Sequence, residues 1–115
     1  MQGRVVVVGA VLLLGFAGCA APPTPEQLEL QGQVADGRAV AQRECASCHA
    51  LDQSTASPRA DAPPMRDLLA RYEKDALAND LIEGIKLGHK DMPQFDFNVI
   101  AADALIAYLR SIQPE

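Results

Sequence analysis

The sequence has few of the side chains that usually fill a protein core. It contains no tryptophan, two tyrosines and three phenylalanines among 115 residues, an aromatic share of 4%. The part of the chain that is expected to fold is about 80 residues long, which is marginal for a core built from side chains alone. The sequence therefore predicts one small domain whose side chains alone form a marginal core.

Two further absences narrow the fold and the function. No segment of useful length alternates between polar and apolar residues and no internal repeat is present, so the pattern favours an all-α fold. There are 10 basic and 15 acidic residues, for a net charge of −5, and no basic cluster suggests nucleic-acid binding. An acidic exterior favours protein partners with a positively charged docking face.

Cysteine is also scarce, but two of the three cysteines stand in an informative motif. Cys45 and Cys48 are followed directly by His49, which is the C-x-x-C-H spacing of covalent c-type haem attachment. Residues i and i+3 share one face of a helical turn, so both sulfurs can reach the vinyl groups of one porphyrin. The motif predicts one covalent haem c with His49 as an iron ligand, and the porphyrin would supply the missing apolar bulk.

Other interpretations use the same side chains. A redox-active dithiol needs a strand–helix context, whereas the residues before Cys45 have a helical pattern. A zinc site needs four ligands, which the motif and the second histidine, His89, could supply. Adjacent Cys48 and His49 converge poorly on one small ion, however. A chance motif is the remaining alternative, and haem attachment is favoured over all three.

The beginning of the chain predicts export. Residues 1–4 form a short basic start, and an unbroken apolar run follows over residues 5–17, as in a secretory signal. Residues 12–19 resemble a bacterial lipoprotein signal, with small residues directly before Cys19, although Phe16 stands where leucine is usual. The resemblance implies that Cys19 is lipidated and becomes the first residue of the mature protein.

Two alternatives also export the domain. Cleavage near Ala21 would release a soluble periplasmic protein, and retention of residues 5–21 would leave an anchor at the lower end of the spanning range. The favoured division is a signal peptide over 1–18, lipidated Cys19 with a flexible tether over 19–32, and a haem-binding domain over 33–115. Three prolines between positions 22 and 25 suggest that the tether is extended. No pair of cysteines is left for a structural disulfide.

Helical periodicity and end signals predict about four helices in the domain. Gly37 lies inside the first helix and indicates close approach by another element. Gly88 is expected just beyond the end of the third helix, and Asn98 is expected to cap the last. The apolar stripe of the last helix includes Ile100 and Leu105. The predicted ranges are 34–46, 66–72, 75–87 and 99–112.

A low-spin haem needs a second axial ligand, and three side chains of the domain are candidates. Met92 precedes Pro93 in a loop between two helices, far enough from His49 to reach the other side of a porphyrin. Met65 is more naturally a packing residue, and His89 stands among charged residues. Met92 is the favoured ligand, with His89, Met65 or an open site as alternatives.

With these residues, the chain resembles a small bacterial class I cytochrome c. The resemblance covers the whole domain: the helix leading into the haem motif, the Ala-Pro-Pro-Met segment over 62–65, the methionine loop over 83–95 and the last helix. It implies a cytochrome c fold, with about four helices wrapped around one covalent haem. It also implies that Gly37 and Tyr108 meet where the first and last helices cross, and that a carbonyl of Pro63 or Pro64 orients the axial histidine.

The resemblance implies one-electron transfer rather than enzymatic catalysis. The predicted protein is a periplasmic, membrane-tethered mono-haem cytochrome with histidine and methionine ligands. It would act alone as a monomer or as a subunit of a complex. Its partners would be redox proteins of a respiratory or dehydrogenase chain and, through the lipid, the membrane. Two alternatives are an electron-accepting subunit of an exported dehydrogenase or oxidase, and a haem sensor with an exchangeable sixth ligand.

Overall fold

The computed structural model describes residues 21–84, 88 and 91–114. Within these ranges the chain forms three α-helices and one 3₁₀ turn, with no strand. The α-helices are α1 (Pro25–Glu44), α2 (Lys74–Ile82) and α3 (Val99–Ser111). The all-α prediction is confirmed for this part of the chain, with three α-helices instead of about four, because the helix predicted over 66–72 is reduced to a 3₁₀ turn at Met65–Asp67.

Three of the predictions concern residues outside the described ranges. The signal peptide over 1–18, the lipid site at Cys19 and the candidate ligand His89 all belong to this group. None of the helices in the described ranges has the length and apolar character of a membrane span.

Helix α1 begins earlier than predicted. Thr24 caps it: its hydroxyl accepts a hydrogen bond from the backbone N–H of Gln27 at 3.2 Å, and the Gln27 side chain accepts one from the Thr24 N–H at 2.8 Å. Pro25 stands at the first helical position, where its fixed φ suits the helix and its missing N–H has no cost. The prediction that residues 25–32 belong to an extended tether is therefore wrong, although residues 21–33 are all exposed.

The crossing of α1 and α3 organises the core. A Cβ atom placed on Gly37 would lie 1.9 Å from the carbonyl oxygen of Ala104 and 2.8 Å from Cβ of Tyr108. Only glycine allows the two helices to approach so closely, which confirms the role predicted for Gly37. The hydroxyl of Tyr108 donates a hydrogen bond to the carbonyl of Leu51, which joins the crossing to the loop that follows the haem motif.

Helix α3 is the most buried element. Asn98 caps it as predicted, because its side chain accepts a hydrogen bond from the N–H of Ala101 at 2.9 Å. Among the described residues, Leu109 is the largest side chain that is fully buried. The prediction that Ile100 belongs to the buried stripe is wrong, because this side chain is 80% exposed in the first turn. The buried residues of α3 are Ala102, Ala104, Leu105, Ile106, Ala107, Tyr108 and Leu109.

Helix α2 ends before the glycine that was expected to end it. The last helical residue is Ile82, and Gly84 follows with φ of +70°, which is the left-handed conformation that ends many helices. The predicted end at Leu87 is therefore wrong. Gly88 also has a positive φ, of +71°, but it stands in the loop that leads to Met92.

The segment between the haem motif and the 3₁₀ turn is a loop, and side chains hold it together. The carboxylate of Asp52 accepts hydrogen bonds from the N–H groups of Ser54 and Thr55, at 2.8 and 2.6 Å, and from the Thr55 hydroxyl at 2.7 Å. These bonds hold the pKa of Asp52 at about 2, below its ordinary 3.8. Arg66 donates to the carbonyls of Asp52 and Thr55, at 3.1 and 2.9 Å.

We expect Gly37→Ala to destabilise the holoprotein by about 1–3 kcal/mol, because the added methyl group meets backbone that cannot rotate away. Gly32→Ala is the matched control, since it lies in the same helix and a Cβ atom placed there would meet nothing within 4 Å. Chemical denaturation followed by circular dichroism measures both variants. Equal stability of the two would contradict the close crossing.

Asp52→Asn should lower the melting temperature at pH 7, and this effect should be lost below about pH 2. The pKa of Asp52 is lowered in the folded state, so the stability that its charge contributes is present above about pH 4 and disappears as the pH falls through about 2. Asp103→Asn, on the exposed side of α3, controls for the change in total charge. A melting difference that does not depend on pH would contradict this role.

Candidate cofactor-binding site

The haem motif continues directly from the end of α1. Cys45 is the C-cap residue of that helix, and its N–H donates to the carbonyl of Ala41 at 2.9 Å. Its own carbonyl accepts hydrogen bonds from the N–H groups of Cys48 and His49, at 3.1 and 2.9 Å. The motif is therefore one compact turn that α1 presents to the interior, where Cys45 and His49 are buried and Cys48 is partly exposed.

The orientation of the His49 ring follows from one hydrogen bond. Nδ1 of His49 lies 2.6 Å from the carbonyl oxygen of Pro63. A carbonyl oxygen only accepts, so Nδ1 carries the proton and Nε2 keeps the lone pair that could bind a metal. The carbonyl of Pro64 is used elsewhere, because it accepts from the N–H of Asp67 at 3.0 Å in the 3₁₀ turn. Of the two prolines named from the sequence, Pro63 is the one whose carbonyl meets the ring.

A cavity of about 340 Å³ adjoins this ring. It is mostly apolar, with walls from α2, α3 and the loops on both sides of α2. Its size lies within the range of small-molecule and cofactor sites. The lining residues include Cys45, His49, Pro63, Met65, Leu68, Leu77, Leu81, Met92, Phe95, Phe97, Leu105 and Leu109.

Both candidate methionines reach this cavity. Met65 is buried in the core, and its N–H donates to the carbonyl of Ala50 at 2.9 Å, so it belongs to the same loop that holds His49. Met92 is partly exposed, comes from the loop between α2 and α3, and also borders a smaller cavity of about 110 Å³ beside Cys48. Gly88 packs against this methionine: a Cβ atom there would lie 3.3 Å from the Met92 sulfur.

The aromatic residues of the methionine loop form part of the wall. The rings of Phe95 and Phe97 stack with their centroids 5.3 Å apart and their planes at 16°. The N–H of Phe97 donates to the carbonyl of Leu81 at 3.3 Å, which attaches the loop to α2. These contacts place two of the few aromatic side chains of the sequence at the cavity.

The pKa of the Cys45 thiol does not suit a redox-active dithiol. Burial, with smaller effects from Glu44 and Cys48, raises its pKa to about 11, above the ordinary 9.0. Reactive cysteines have lowered pKa values instead. Among the residues that the structure describes, no three His, Cys, Asp or Glu side chains converge in a way that could hold a metal ion. The raised pKa weakens the dithiol alternative, whereas the zinc alternative includes His89, which lies outside the described residues.

Several polar residues at the site had no recognisable signal in the sequence. Arg59 binds Asp61 through two hydrogen bonds, at 2.6 and 2.9 Å, and it reaches Asp91 at 3.3 Å. These bonds raise the pKa of Arg59 above its usual range. Gln94 donates a hydrogen bond to the carbonyl of Gly84. The partners in the contacts of Asp91 and Gln94 are distant in sequence, so no local pattern could reveal them.

The residues at the cavity fit a c-type haem. The walls are mostly apolar, and Cys45 lines the cavity, while Cys48 on the same turn lines the smaller cavity. The imidazole beside them is oriented through its Nδ1. A thioether from a separate loop lines the same cavity. This donor set suits covalent attachment of a porphyrin and ligation of its iron.

The comparisons with known proteins agree with this fit. A family model described as cytochrome c oxidase, cbb3-type, subunit III matches residues 32–109, which is more than half of the chain. Comparisons with curated proteins and with solved structures gave no significant match. The chain therefore belongs to this cytochrome family: it is a small mono-haem class I cytochrome c with one covalently bound haem c, and its function is haem-based electron transfer.

Proposed function

We propose that this cytochrome is a one-electron carrier in which His49 and Met92 are the two axial ligands. The observation that supports the proposal is that both side chains line one apolar cavity, with His49 oriented by the Pro63 carbonyl. The bound haem c supplies a one-electron Fe(III)/Fe(II) couple.

Each residue of the site has a separate task. Cys45 and Cys48 hold the porphyrin through thioether bonds. The Pro63 carbonyl fixes the orientation of the His49 ring and its Nδ1–H tautomer. The sulfur of Met92 favours the reduced state and raises the reduction potential relative to two nitrogen ligands. The apolar walls exclude water from the cavity and contribute to the same shift.

The edge of the site near Cys48 is the proposed point of electron exit. The smaller cavity borders Cys48, Asp91 and Pro93. The side chains of Asp61 and Asp91 remain 59% and 48% exposed nearby, so the edge carries negative charge beside one arginine. A partner with a positively charged docking face suits this edge, and redox encounters of this kind bury less than about 1,200 Å².

We further propose that lipidation at Cys19 tethers the domain to a membrane in the periplasm. The lipoprotein-like residues before Cys19 support this proposal. Because α1 begins at Pro25, only a short segment separates the proposed lipid from a helix, and the link is stiffer than a long flexible tether. Such a link raises the effective concentration of the cytochrome near membrane-bound partners.

Membership of an oxidase complex is the second candidate function. The matching family is described as a subunit of a cbb3-type oxidase, and this description favours a role as an electron-transferring subunit. The chemistry at the haem would be the same in both cases. Purification of the cytochrome from mild-detergent extracts distinguishes them, since a subunit co-purifies with its oxidase and a carrier does not.

Met92→Ala should remove the far-red absorption of the oxidised protein that indicates sulfur ligation, and it should lower the reduction potential by more than roughly 60 mV, a tenfold change for one electron. Met65→Leu is the matched control, because it preserves the volume of a buried side chain at the same cavity. Absorption spectra and a redox titration measure both variants.

Carbon monoxide gives an independent test of the sixth position. The reduced wild-type protein should bind little of it at neutral pH, whereas Met92→Ala should bind it readily. Loss of the far-red absorption in Met65→Leu but not in Met92→Ala would assign the ligand to Met65. Strong carbon monoxide binding by the reduced wild-type protein would favour a sensor with an exchangeable sixth ligand.

Mass spectrometry of the intact protein from membranes tests the tether. We expect one haem and acyl groups on a chain that begins at Cys19, and we expect Cys19→Ser to move the protein into the soluble periplasmic fraction. A chain that begins near Ala21 without acyl groups would instead indicate ordinary signal cleavage.

A further inference from the structure

Arg59 connects the loop that supports His49 with the loop that carries Met92. Its Nη2 lies 2.6 Å from Oδ2 of Asp61 and 3.3 Å from Oδ2 of Asp91, and its Nε lies 2.9 Å from Oδ1 of Asp61. Asp61 belongs to the loop that supports His49, whereas Asp91 immediately precedes Met92. One guanidinium group therefore bridges the histidine side and the methionine side of the site.

The backbone of Arg59 is attached to the haem motif. Its N–H donates to the carbonyl of Cys48 at 3.2 Å, and its carbonyl accepts from the N–H of Ala62 at 3.2 Å. The two hydrogen bonds to Asp61 orient the planar guanidinium before it reaches the other loop. Arg59 is thus held through both its backbone and its side chain. Asp91, in contrast, belongs to the loop that carries Met92.

We propose that Arg59 and Asp91 are positioning residues that hold the Met92 loop closed over the site. The proposal rests on the proposed ligation by Met92. Asp91 directly precedes Met92, so a backbone movement that takes the Met92 sulfur away from the cavity would also separate Asp91 from Arg59. The bridge therefore stabilises the state in which the methionine is in place and disfavours the state in which another ligand can enter.

The expected effect is modest. Arg59 and Asp91 have side chains that are 36% and 48% exposed, and exposed ion pairs are weak. The hydrogen bond from Gln94 to the Gly84 carbonyl also attaches the loop to the end of α2. We therefore expect loss of the bridge to make replacement of the methionine easier by about two- to fivefold, without loss of the ligand in the resting protein.

Imidazole titration of the oxidised holoprotein tests this proposal. Imidazole competes with the methionine, and its apparent affinity is measured from the disappearance of the far-red absorption. Arg59→Gln and Asp91→Asn should each increase that affinity by about two- to fivefold, and the double variant should show no further increase. The difference from the wild type should shrink as sodium chloride approaches 1 M, where screening acts within about 3 Å.

Two further variants serve as controls. Arg110→Gln removes the same charge from the exposed end of α3 and should match the wild type. Asp61→Asn separates the bridge from the local support of the Arg59 loop. If Asp61→Asn reproduces the effect of Arg59→Gln while Asp91→Asn matches the wild type, Arg59 acts only within its own loop and the bridge is excluded.

Two further results of the titration would count against the bridge or against the ligation by Met92. Additive effects of Arg59→Gln and Asp91→Asn would overturn the proposal, because independent contributions exclude a shared contact. A wild-type protein without the far-red absorption would instead overturn the ligation by Met92, which is a separate failure. Retention of that absorption before imidazole is added shows that each variant is folded and carries its methionine ligand.

Discussion

The close crossing of α1 and α3 at Gly37 is the contact on which the rest of the structure depends. The haem motif continues directly from α1, so the position of Cys45 is set by where that helix lies. Helix α3 supplies Leu105 and Leu109 to the cavity wall. A wider separation of the helices would move the motif away from this wall, and the hydroxyl of Tyr108 would no longer reach the loop that follows the motif.

The rest of the site is built by loops, and hydrogen bonds take the place of regular structure there. The loop after the motif is held by hydrogen bonds that the Asp52 carboxylate accepts and the Arg66 side chain donates, and its Pro63 carbonyl orients His49. The second loop is attached through Gln94 and through the pair of Arg59 and Asp91. A small protein with few aromatic residues can shape a cavity in this way because each loop is fixed by several weak bonds.

Local signals in the sequence predicted some features correctly and others not. The predictions for Asn98 and Gly37 were correct, because helix capping and close helix approach each depend on a single residue type with a strong preference. The predicted start of α1 was wrong because proline is common both in extended segments and at the first position of a helix. Here the capping box of Thr24 and Gln27 stabilises the helix. The predicted end of α2 was wrong because two glycines, Gly84 and Gly88, could each follow the end of the helix. Both have a positive φ, and the helix ends before the first of them.

The sequence by itself determined the chemistry of the cofactor, because Cys45, Cys48 and His49 act within one turn and their spacing is sufficient to attach a haem. It also limited the second ligand to a few side chains. Only the tertiary structure decided that the carbonyl of Pro63 orients the histidine, and that Arg59 reaches Asp91 across the site. These choices depend on how loops far apart in the chain meet around the helix crossing, and no local pattern contains that information.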